Sequence, residues 1–159
     1  MRNKTIQYGI SVIFSAFLLI GCATTEYTSI PDPVGPSHYK PHPHQEGSLI
    51  VYTRSSGAFY SDFLIHSPYE IYTKEGVLFK KIPNHVGNFD PDPDEVSLPA
   101  GEYKIKARSK KDGMIMANVF ILPSKTTFLD LNDEIQDRFE KVPSNQLIKT
   151  PSGHIIGFK

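Results

Sequence analysis

Residues 102–108, Glu-Tyr-Lys-Ile-Lys-Ala-Arg, alternate strictly between charged and apolar side chains, and this two-residue period constrains the fold more than any other feature. Successive side chains of a strand point to opposite faces, so Tyr103, Ile105 and Ala107 share one face. Glu102, Lys104, Lys106 and Arg108 share the other. Such a strand lies half-buried in an antiparallel sheet with one wet side. Other short runs surround it. Leu49–Thr53 is apolar on both faces, as a central strand would be. Tyr69–Thr73 and Val77–Ile82 flank Lys74-Glu75-Gly76, and Met114–Leu122 and Lys125–Leu131 follow Lys111-Asp112-Gly113. Glycine suits the positive φ of a hairpin turn. No helix-length amphipathic run separates these strands. The expected fold is therefore all-β, a small antiparallel β-sandwich of about seven strands.

Beyond Leu131 the pattern changes. Asn132 or Asp133 offers a cap for a short helix through about Lys141, with Ile135 and Phe139 on one face. Gln146–Lys149 and His154–Phe158 surround Thr150-Pro151-Ser152-Gly153 and predict a C-terminal hairpin. Its Ile155, Ile156 and Phe158 imply that this end docks on the domain.

The N-terminus has a different character. Arg2 and Lys4 precede an almost wholly apolar run over residues 8–20. As a helix that run reaches roughly 20 Å, short of the ~30 Å hydrocarbon core of a bilayer. It is the shape of a signal-peptide core rather than a permanent span. Leu19-Ile20-Gly21-Cys22 then resembles the lipobox of bacterial lipoproteins. The resemblance implies a diacylglyceryl group on the Cys22 sulfur, cleavage between Gly21 and Cys22, and acylation of the new amine. Two or more acyl chains, at about 0.8 kcal/mol per buried CH2, hold a protein stably where one chain binds marginally. Ala23, where aspartate would commonly retain such proteins in the inner membrane, favours the outer membrane by the same resemblance.

Residues 23–46 carry Pro31, Pro33, Pro36, Pro41 and Pro43 with little apolar company, and are expected to be a tether outside any sheet ladder. Such a tether would span roughly 27 Å as a coil and about 75 Å as extended polyproline. The expected organisation is a signal peptide over 1–21, lipidated Cys22 and tether over 22–46, a sandwich over 47–131, and a short helix with the C-terminal hairpin over 132–159.

The segment Val96-Ser97-Leu98-Pro99-Ala100-Gly101-Glu102-Tyr103 looks like a strand-turn-strand of transthyretin-like or carboxypeptidase-regulatory-like sandwiches. The resemblance implies an unusual backbone angle at Gly101 and an inward Tyr103. It brings no catalytic residues.

Charge and cysteine content narrow the function. The 17 basic and 17 acidic residues become 15 and 17 once Arg2 and Lys4 leave with the signal peptide, which argues against sequence-independent nucleic-acid binding. The single cysteine allows neither an intrachain disulfide nor a thiolate metal cluster. His38, His42 and His44 have the donors for zinc or copper, but the neighbouring prolines oppose a compact cage and a solvated linker is favoured. Asp90, Asp92, Asp94 and Glu95 offer oxygen ligands for calcium, yet lack the glycine and the distal glutamate of an EF-hand and read better as a stiff solvated loop. Lys104, Lys106 and Arg108 recur about every 6.8 Å along one face, a spacing that meets phosphates on lipid or polysaccharide, although charge on a wet sheet face commonly serves solubility. In the long connection Arg54–Pro68, Phe59, Tyr60, Phe63 and His66 form a possible ligand loop, against the plainer reading of an irregular strand with its aromatics in the core.

No Gly-x-Ser-x-Gly, His-Glu-x-x-His or phosphate loop occurs, and Cys22 is consumed by lipid. The expectation is a noncatalytic binding or assembly module of the cell envelope without a cofactor. Its partners are membrane lipid, through Cys22, and another envelope protein. The alternatives are a ligand- or metal-binding lipoprotein and, less favoured, an envelope hydrolase.

Overall fold

The computed structural model describes residues 26–35, 45–57, 64–84 and 93–159. Within them the chain is all-β. Twelve strands follow in order: β1 (Thr28–Val34), β2 (Glu46–Tyr52), β3 (Ser55–Gly57), β4 (Leu64–His66), β5 (Tyr69–Thr73) and β6 (Leu78–Ile82), then β7 (Glu95–Pro99), β8 (Gly101–Ser109), β9 (Gly113–Ile121), β10 (Thr126–Asp130), β11 (Leu147–Lys149) and β12 (Ile155–Phe158). They form a five-stranded sheet in the order β1-β9-β8-β5-β6, a three-stranded sheet β10-β2-β7, and the two small pairs β11-β12 and β3-β4. The strands expected around the Lys74–Gly76 and Lys111–Gly113 turns are present, and Gly76 and Gly113 have φ of 88° and 71°. Among the described residues no helix is long and apolar enough to cross a membrane.

Alternation builds the core. Tyr103, Ile105 and Ala107 of β8 point inward with Ile115, Ala117, Val119 and Ile121 of β9, and meet Leu49 and Val51 of β2, Val96 and Leu98 of β7, and Leu129 of β10. Eight of these, Leu49, Val51, Leu98, Ile105, Ile115, Ala117, Val119 and Leu129, have no exposed surface. The other face of β2 is covered too. Ile50 and Tyr52 pack with Ile135, Phe139, Leu147 and Ile155, which explains why this strand is apolar on both sides.

The C-terminal hairpin docks, as its composition implies. Ile148 and Ile156 enter the main core, and the Gly35 N–H donates to the Phe158 carbonyl at 2.6 Å. A Cβ on Gly157 would stand 2.5 Å from Val34 Cγ1, so β12 and β1 touch at a point where only glycine fits.

Four expectations are corrected. The tether reading fails over Thr28–Val34, which is a strand paired in parallel with β9. Pro31 and Pro33 are tolerated because β1 is an edge strand and both fall where its register shifts, between Ile30 and Val34. The sandwich is also not purely antiparallel, since β10 pairs in parallel with β2 as well. The helix expected after Leu131 is only a four-residue 3-10 turn over Gln136–Phe139. Asp133 has φ of 65°, a left-handed conformation that stops a right-handed helix from starting there. Finally, Gly101 is not among the positive-φ glycines, although Tyr103 packs inward as expected and donates from its hydroxyl to the Pro99 carbonyl at 2.9 Å. The turn at Ala100 instead carries the chain from the three-stranded sheet to the five-stranded one.

Candidate functional site

Two places gather chemistry-bearing side chains. The first is the outward face of the five-stranded sheet. The alternation that sends Ile105 and Ile115 inward leaves Lys104, Lys106 and Arg108 of β8 outward beside Met114 and Met116 of β9. Two shallow, open depressions share Lys106. One is lined by Pro68, Glu70, Arg108 and Met114, the other by Tyr27, Tyr72, Lys104, Met116 and Asn118.

Glu70 is the acid at the centre of this face. It lies 2.9 Å from Lys81 Nζ and 3.8 Å from Lys106 Nζ, and accepts a 2.6 Å hydrogen bond from the Tyr72 hydroxyl. That bond, the one from Lys81 and the two ammonium charges hold its carboxyl below the usual range despite slight burial. The same contact, with some burial, pushes the Tyr72 hydroxyl up to about 12. Glu102 pairs with Lys74 at 3.0 Å. Lys104 and Arg108 form no ion pair among the described residues. The basic stripe read from sequence is thus real, with its middle member partly neutralised.

The second place is a buried polar cluster at the end of the sandwich. His66 Nδ1 donates to the Thr53 carbonyl at 2.7 Å, and its Nε2 lies 3.3 Å from Glu134 Oε2, out of line for a hydrogen bond. Asn132 donates to Ser55 Oγ at 2.8 Å and to Glu134, and accepts from the Ser55 N–H at 3.3 Å. Asn84 donates to the Val51 carbonyl and to Thr53 Oγ1, both at 3.1 Å. Asp130, fully buried, accepts from the N–H groups of Asn132, Glu134 and Ile135 and from the Gln136 amide, at 2.8–3.3 Å. Next to it, His154 Nε2 lies 2.9 Å from Asp133 Oδ1. Burial pushes the His154 imidazole down, against the pull of Asp133 and Asp130. Burial alone would raise Asp133, but the hydrogen bond from Lys111 and the nearby positive charges hold it below its usual range.

This cluster is a brace. His66 and Asn132 fix the base of the β3-β4 hairpin, and Asp130 folds the backbone of 131–136 around its carboxylate. His66 is 1% exposed, so it supports the loop rather than facing a ligand.

Cys22, His38, His42, His44, Phe59, Tyr60, Phe63, Asp90 and Asp92 lie outside the described residues. Asp94 is exposed, and Glu95 opens β7 and accepts from Thr126 at 3.5 Å. Among the described residues no group of three or more His, Cys, Asp or Glu side chains is placed to hold a metal ion. Sequence reasoning missed Glu70, Tyr72, Met114 and Met116. It also missed the Asp130 network, for which the run Asp130-Leu-Asn-Asp-Glu after a strand was a usable signal of side-chain to backbone bonding.

Comparison with protein-family models, with curated proteins and with solved structures finds no match to this chain.

Proposed function

We propose that the chain is a lipoprotein of the cell envelope, anchored by lipid on Cys22, whose β domain is a noncatalytic binding or assembly module. The observation that carries this reading is the ordered N-terminal segment: Arg2 and Lys4, the apolar run 8–20, then Leu19-Ile20-Gly21-Cys22. The lone cysteine of the chain stands at the one position where lipidation needs it. Ala23 favours the outer membrane. The reading of a binding module is supported by the side chains that gather outside the core. Those of the buried cluster are spent on bracing the fold, and those of the sheet face are cations, thioethers, phenols and the carboxylates of Glu70 and Glu102, both held in ion pairs with lysines, which suits contact better than bond-making.

Crosslinking with mass spectrometry in intact cells of the native host, comparing wild type with Cys22→Ala, tests the role. Crosslinks to one or two defined envelope proteins, weakened in the unanchored form, are expected. A lipidated protein without reproducible protein crosslinks contradicts an assembly role.

A further inference from the structure

Only five residues separate Cys22 from the start of β1 at Thr28. Fully extended, that stretch lets Thr28 stand no more than roughly 20 Å from Cys22. An anchored domain therefore sits against the bilayer surface instead of floating tens of ångströms away. The register then says which part of the sheet lies nearest. Thr28 is level with Ile115, and Ile115 with Ala107, so the Arg108 end of β8 is two strand spacings, roughly 10 Å, from the start of β1.

The outward face there has the composition of a surface that meets lipid headgroups. Lys74, Lys81, Lys104, Lys106 and Arg108 outnumber Glu70, Glu75 and Glu102 by two, whereas the mature chain as a whole carries two more acids than bases. Positive charge is thus concentrated on a face whose Arg108 end lies close to the start of β1, where an anchor on Cys22 would hold the domain. The rims are amphipathic: Tyr27 is 50% exposed beside β1, and Leu78, opposite Tyr72, is 45% exposed on β6. Tyrosines and long basic side chains suit the boundary between headgroup and hydrocarbon.

We propose that the outward face of the five-stranded sheet lies on the anionic headgroups of the membrane that holds the Cys22 lipid. Lys104, Lys106 and Arg108 face lipid phosphates, and Tyr27 and Leu78 enter the interfacial layer at the two edges. The proposal rests on the anchor reading above. A modest excess of cations suffices, because a short tether holds the face at an effective concentration on the order of millimolar. Docking in this pose leaves the three-stranded sheet and the C-terminal hairpin free to meet a partner.

Amine footprinting of the lipidated full chain tests this in vesicles of phosphatidylglycerol with phosphatidylcholine, against vesicles of phosphatidylcholine alone. Modification of Lys104 and Lys106 is expected to slow several-fold only in the anionic vesicles, while Lys125 and Lys149, outside this face, react alike in both. The protection is expected to vanish at 1 M salt, where the screening length is about 3 Å, and to weaken at Lys104 in R108E. Equal reactivity in the two vesicles overturns the docking, as does equal protection by inorganic phosphate without vesicles, which assigns the face to a soluble anion. The intact mass of the same sample separates the two claims. Acyl mass on Cys22 with no protection overturns docking alone, and no acyl mass overturns the anchor.

Discussion

Asp130 ends β10 as a fully buried carboxylate, and its two oxygens accept from three backbone N–H groups and the Gln136 amide. Removing it leaves four donors without this acceptor, and the bonds from the Asn132 and Ile135 N–H groups are buried. Hydrogen bonds to a charged group are worth about 1.5–3 kcal/mol each, though not additively. Asp130→Ala is therefore expected to cost roughly 3 kcal/mol or more in urea unfolding, and Asp130→Asn less, since one acceptor oxygen remains. A loss under 1 kcal/mol for the alanine variant would show that the loop holds itself. His154 gives a pH signature. Burial lowers its folded pKa beneath the unfolded value near 6.5, so the unfolded chain binds the extra proton first. Its contribution to stability is complete above about pH 6.5 and is lost as pH falls through the lower folded pKa. Asp133, Asp112 and Glu70, all held below their usual range, add a second loss at more acid pH. Stability measured from pH 7.5 to 5 is expected to decline in wild type and to run flatter in His154→Gln.

Secondary structure was legible wherever period and turn chemistry agreed. β8 could be read from its alternation, β5-β6 from Gly76 and β8-β9 from Gly113. β1 was not, because Pro31 and Pro33 ordinarily exclude a ladder, and only its place at a sheet edge with a register shift admits them. The outward partners of the Lys104–Arg108 stripe were hidden for a different reason. Met114–Ile121 is apolar at most positions, so its period cannot say which side is wet until β8 fixes the pairing. Two glycines test the packing at this scale. A Cβ on Gly47 would fall 2.0 Å from the Leu122 carbonyl oxygen and 2.8 Å from that of Lys125, both backbone atoms at the crossing from β9 to β10. On Gly157 it would meet the side chain of Val34. Gly157→Ala is expected to cost about 1–3 kcal/mol, the range for overpacking, and Gly47→Ala more, because backbone cannot step aside as a side chain can. Chemical denaturation of the two variants checks the order, and a reversed order would mean that β1 and β12 are fixed more tightly than the β9-β10 crossing.

Across the whole molecule, two sheets share one core, the C-terminal hairpin joins that core beside β1, and the outer side of β2 is covered by Ile135, Phe139 and Leu147. The proposed contact face was half legible: the basic stripe stood out in sequence, whereas Glu70 and the tyrosines reach it only through strand pairing. His66, a conspicuous residue in the long connection Arg54–Pro68, is buried and donates to the Thr53 carbonyl, which agrees with the plainer reading of the segment as a strand. Because only five residues lie between Cys22 and β1, an anchor on Cys22 would hold the fold close to the bilayer, and everything proposed about orientation depends on that single sulfur. The measurement that bears on it most directly is the intact mass and membrane partition of wild type against Cys22→Ala, expressed in a lipidating bacterial host. Wild type is expected in the membrane fraction, cut before Cys22 and heavier than the bare mature chain by two or three acyl chains, with the variant lacking that mass and leaving the membrane. An unmodified Cys22, or a variant that keeps the wild-type partition, would contradict the account.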